Sequence, residues 1–104
     1  MAYIGVRTTK FSYKITTKLH GPIDTLVVNP VDVRNFVNEY QDSARLLVGK
    51  DDPSFNMVIR TNELVEAVAD KFCDGTNILW VEVTIESSNN VMFNAVAERV
   101  PVNV

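Results

Sequence analysis

With 104 residues, 46% hydrophobic and 22% charged, the chain has the composition of one globular domain, residues 1-104, large enough to hold a core without disulfides or metal. No apolar run approaches the roughly 20 residues of a membrane helix, the first residues lack a secretory apolar stretch, and a lone Cys73 allows no intrachain disulfide, so a cytoplasmic protein with no membrane contact is expected. The net charge of −3 is unevenly placed: residues 1-20 carry Arg7, Lys10, Lys14 and Lys18 and no acid, and residues 21-104 carry six Lys/Arg against thirteen Asp/Glu.

From Phe11 to Leu19 the period is two, with Phe11, Tyr13, Ile15, Thr17 and Leu19 on one face and Lys10, Ser12, Lys14, Thr16 and Lys18 on the other. That pattern predicts a half-buried strand; residues 3-6 are either its bent start or a separate short strand. His20-Gly21-Pro22 breaks it. Residues 25-28, TLVV, read as a buried strand stopped by Asn29-Pro30, an N-cap side chain followed by a residue suited to the first helical position. Val33, Phe36, Val37, Tyr40, Ala44 and Leu47 then recur at helical spacing, and the helix is expected to end near 41-43 because Leu46-Leu47-Val48 suits a strand. GKDDPS, residues 49-54, reads as a turn.

A second strand-helix-strand passage follows. Phe55, Met57 and Ile59 alternate with polar and apolar neighbours as a strand would, Thr61-Asn62 is placed to cap, and Leu64, Val65, Val68, Ala69 and Phe72 form a helical stripe stopped at Asp74-Gly75. Residues 78-86 predict a strand with Leu79, Val81, Val83 and Ile85 on one face and Ile78, Trp80, Glu82, Thr84 and Glu86 on the other. Ser87-Ser88-Asn89-Asn90 turns the chain into a last strand over 91-100, ended by Pro101. The two passages echo each other in hydrophobic period. Together they predict an α+β fold in which two helices cover one face of an antiparallel sheet, a ferredoxin-like βαββαβ core with an extra N-terminal strand and a C-terminal hairpin strand.

Reactive groupings are scarce. One histidine, His20, and one cysteine, Cys73, cannot supply the four ligands of a structural zinc site, and no phosphate loop, dinucleotide turn or nucleophile elbow occurs. A Cys73–His20 nucleophile pair would have to bring a helix residue to a distant turn. Asp51-Asp52 lacks the alternating oxygens of a calcium loop. Glu82 and Glu86 on one strand face stand roughly 13 Å apart at about 3.3 Å per residue, wider than a glycosidase pair. No cofactor and no catalytic residue are therefore expected.

Two surfaces remain. Trp80 and Ile78, with Val96 or Met92 from the next strand, form an apolar patch on the sheet face away from the helices, either covered by the extra strands or a loop or else open as the expected contact for another protein or for a second copy in a homo-oligomer. Arg7, Lys10, Lys14 and Lys18 are the alternative, a nucleic-acid strand; against it, the pleat turns Phe11 and Tyr13 away from the lysines, so rings and cations do not cooperate. Lysines on such a strand also serve to face Glu82, Glu86 or Glu98 on a neighbour. A small acidic inhibitor occupying a basic site on a host enzyme is the remaining alternative. The sequence thus favours a non-catalytic protein-binding or assembly module.

Overall fold

A computed structural model describes residues 2-21, 28-43, 46-47, 51-75, 77-88 and 90-99, with the side chains of Ala2 and Met92 excepted. Four strands and two helices follow in the order β1 (Ala2–Lys10), β2 (Tyr13–Gly21), α1 (Pro30–Asp42), α2 (Met57–Phe72), β3 (Trp80–Ser87) and β4 (Asn90–Glu98). The sheet runs β1-β2-β3-β4 with every neighbouring pair antiparallel. The fold is α+β with an antiparallel sheet, as expected, but among the described residues the order is ββααββ, which differs from the ferredoxin-like βαββαβ order.

Two local features contribute most visibly to the difference. First, the basic segment is a hairpin. Lys10 pairs with Tyr13 across a two-residue loop in which Phe11 and Ser12 both take positive φ, 53° and 68°. Left-handed conformations at both central residues are what a type I′ turn requires, and they match the twist of the flanking strands. Lys10 therefore belongs to β1, and Phe11 is half exposed at the turn instead of lying in the core.

Second, Met57 to Ile59 is the first turn of α2. Asn56 caps it, its side-chain oxygen accepting from the Val58 and Ile59 amides at 3.0 and 3.2 Å. Thr61, expected as the cap, lies fully buried inside the helix and donates its hydroxyl to the Met57 carbonyl at 2.7 Å. The α1 boundaries hold: Asn29 Oδ1 accepts from Val31 N at 2.9 Å, Pro30 begins the helix and Ser43 ends it. Of the other expected strands, 25-27 and 48 lie outside the described residues; Val28 has no regular structure, and Leu46 and Leu47 are buried in bends.

The core lies between the sheet and the helix pair. Ile15 and Leu19 from β2 and Val81, Val83 and Ile85 from β3 meet Val33 and Val37 of α1 and Leu64, Val65, Val68 and Ala69 of α2, all essentially inaccessible. Leaving water is worth about 1.5 to 3 kcal/mol for each such large side chain. Phe36 and Phe72 join the helices edge to face, with centroids 5.7 Å apart.

Polar ties lock this layer at its margins. Gln41 Nε2 donates to Thr8 Oγ1 at 2.8 Å in a buried bond between α1 and β1, Lys10 Nζ meets Asp42 at 2.8 Å, and Arg99 spans Asp70 at 2.9 Å and Glu66 on α2. With the helices all on one side, the other face of the sheet is left without a covering element among the described residues.

Candidate functional site

Directly paired residues of antiparallel strands share a face, so the registers lay out the uncovered face as four rungs. Reading from β1 to β4 they are Tyr3–His20–Trp80–Glu98, Gly5–Lys18–Glu82–Val96, Arg7–Thr16–Thr84–Asn94, and Thr9–Lys14–Glu86–Val91. A register shift between Ile85 and Glu86 lets Val91 pair with Glu86 and Phe93 with Ile85, which sets Met92 in the bulge.

One end of the face is a row of rings. His20 and Trp80 stack with centroids 3.7 Å apart and planes 3° from parallel, and Tyr3 leans on His20 at 5.3 Å. The Lys18 ammonium sits 5.2 Å from the Tyr3 centroid, a cation–π distance. Packed between two rings, the His20 side chain is only 12% exposed. Burial therefore lowers its pKa below the ordinary 6.5, Lys18 adds to the lowering, and the Glu82 carboxylate opposes it. At 3.8 Å from Nε2, that carboxylate is within ion-pair range and beyond a hydrogen bond. His20 Nε2 and Thr16 Oγ1 are buried without a hydrogen-bond partner among the described residues. Asn94 holds the acidic side of the face, donating from Nδ2 to Glu82 at 3.1 Å and to Thr84 at 2.8 Å.

Charge on this face is divided lengthwise. Arg7, Lys14 and Lys18 occupy the β1–β2 half, and Glu82, Glu86 and Glu98 the β3–β4 half. The strand pairing thus sets Lys18 opposite Glu82 and Lys14 opposite Glu86, the arrangement expected for these lysines. Apolar exposure is concentrated at the outer strands, where Tyr3 is 56%, Val91 64% and Val96 54% accessible. Between Tyr3, Arg7, Thr16 and Lys18 the missing side chain of Gly5 leaves a shallow depression of about 410 Å³.

Of the residues expected at a partner site, Trp80 lies on this face. Ile78 does not: it precedes β3, its amide bonds to Asp74 Oδ1 at 3.1 Å, and its side chain is buried in the core. The Met92 side chain lies outside those described. Among the four cations of the nucleic-acid alternative, Lys10 turns to the helix side and pairs with Asp42, so Arg7, Lys14 and Lys18 remain. Tyr13 packs against the core, away from Lys14 and Lys18, as expected, but the lysine face is not without rings, because Tyr3 arrives from β1 and Trp80 from β3, strands whose register with β2 cannot be read from alternation alone.

Cys73 and His20 do not meet. Cys73 ends α2 and packs on the core, where burial pushes its thiol up to about 11, whereas His20 faces the opposite side of the sheet. Among the described residues no three His, Cys, Asp or Glu side chains gather as metal ligands, and no helix is long and apolar enough to cross a membrane. In comparisons with protein-family models, curated proteins and solved structures, the chain matches none of them.

Proposed function

We propose that the chain is a non-catalytic assembly module that associates with itself through the uncovered sheet face. The observation that carries this reading is the face itself: one side of a four-stranded sheet carries a ring row, exposed Tyr3, Val91 and Val96, and three cations against three carboxylates. The support lies in the combination: exposed apolar residues line the two outer strands and opposite charges are matched on the central pair, so the face offers a second surface both apolar contact and charge partners. Light scattering over rising concentration tests it. A mass climbing above 11.7 kDa, and held at the monomer value by Val96→Lys, is expected; a monomer at every concentration would contradict it.

A second reading is single-stranded nucleic acid over the same face, favoured by the one observation that Tyr3 and Trp80 share it with Arg7, Lys14 and Lys18. Stacking platforms need open ring faces and a net positive groove. Here His20 fills the space between the rings, Lys18 covers Tyr3, and the carboxylates match the cations in number. A low-salt mobility shift with single-stranded DNA and RNA decides between them, binding that weakens steeply with salt being the signature of this reading.

A further inference from the structure

We infer that the partner is a second copy of this chain, laid face to face on the first about a two-fold axis that runs along the strands. This rests on the reading of the uncovered face as a self-association surface, and it specifies which residues meet. A two-fold axis lying in the interface can run across the strands or along them. Run across, it sets β1 of one copy over β1 of the other, and the cationic halves collide. Run along, it sets the β1–β2 half over the β3–β4 half, so Lys14 and Lys18 of each copy face Glu86 and Glu82 of the other, and Arg7 faces Asn94. Sheets that pack face to face keep their strands within about 30° of alignment, so this geometry is an ordinary one.

Such an axis keeps each residue at the same height along the strands, and each rung therefore lies over its own reversed copy. Lys18 meets Glu82 of the second copy, and Lys14 meets Glu86 of the second copy. On the same rung as Lys18, the accessible Val96 of one copy lies over Gly5 of the other, where the depression of about 410 Å³ opens. Shape and charge thus select the same axis independently. Four strands about 4.8 Å apart and rungs spanning about 20 Å give a projected face of roughly 400 Å² per copy, about half the roughly 800 Å² per partner of a standard interface and in the range of weak, transient contacts. Association is accordingly weak, and concentrations up to about 500 µM are the relevant range.

The test is charge exchange by mixing, followed by sedimentation equilibrium. Lys14→Glu with Lys18→Glu makes one variant; Glu82→Lys with Glu86→Lys makes the other. Alone, each places like charges across the interface and weakens association by at least about 100-fold. Mixed in equal amounts they pair with each other, and the mass returns to the wild-type dimer value. Like charges within each chain are the same before and after mixing, so rescue reports contact between copies.

Gly5→Leu supplies an independent check should a charge variant fail to fold. A Cβ at Gly5 meets its nearest neighbours, Tyr3 and Lys18, at 3.6 and 3.8 Å, ordinary contact distances. The monomer has room for that Cβ, and the longer side chain fills the depression that Val96 would enter, so a monomer is expected, with its fold checked by circular dichroism. A wild-type dimer indifferent to Gly5→Leu, or charge variants unrescued by mixing while the wild type associates, overturns this pairing and leaves association through another surface. A monomeric wild type overturns both.

Discussion

Ser12→Gly and Ser12→Val probe the hairpin that sets the whole register. In the β1–β2 turn Ser12 has φ 68° and is exposed, so its side chain contributes little packing and its backbone conformation dominates the effect. Holding an L-residue in the left-handed region costs about 1 to 2 kcal/mol, and glycine removes that cost while losing about 0.5 to 1 kcal/mol more backbone entropy on folding. Ser12→Gly should therefore stabilise the fold by about 0.5 to 1 kcal/mol. Valine, stiff at χ1 and disfavoured at positive φ, should destabilise it by about 1 kcal/mol. A continuous strand through Phe11 and Ser12 reverses both signs, since glycine weakens strands and valine favours them. Urea unfolding followed by circular dichroism reads the difference. With m between about 1 and 3 kcal/mol/M, the glycine midpoint rises by about 0.2 to 1 M and the valine midpoint falls, at unchanged m. A lower midpoint for Ser12→Gly together with a higher one for Ser12→Val would refute the turn.

Asn56→Ala tests where α2 begins: losing the acceptor for the Val58 and Ile59 amides should lower stability by about 0.5 to 2 kcal/mol, and no change in the urea midpoint would return Met57 to Ile59 to a strand. His20 adds a pH dependence of definite sign. Neutral in the fold and lowered below 6.5, it takes up its proton more readily when unfolded, so its contribution is complete above pH 6.5 and is lost as pH falls through 6.5 toward its folded value. Between pH 7.5 and 5.5 the wild-type midpoint should drop further than that of His20→Gln, and parallel curves would contradict the stacked, dry environment formed by Tyr3, Trp80, Lys18 and Glu82.

Much of this architecture is legible from local pattern. Asn29-Pro30 marks α1 because cap chemistry is local, and the alternation of Val81, Val83 and Ile85 gives β3 its buried face directly. Tertiary pairing is harder to read. Phe11-Ser12 lacks the Asn-Gly or Gly signal of a two-residue turn, so the period of two runs smoothly through a reversal of the chain. Three residues, Met57 to Ile59, fit strand and helix periods alike, and only the stripe from Thr61 to Ala69 places them in α2. The site suffers most from this. Tyr3, His20 and Trp80 come from the ends of three strands, and they become neighbours only once the Phe11-Ser12 turn fixes β1 against β2. Trp80 and the lysine–glutamate pairing could be anticipated from alternation; the ring row could not.

Trp80, the chain's single tryptophan, stands on the uncovered face, and its quenching by acrylamide across a dilution series tests self-association through that face most directly. Accessibility that falls as protein concentration rises, with the change abolished in Gly5→Leu, is the expected result. Quenching that is the same in dilute and concentrated solution would contradict it.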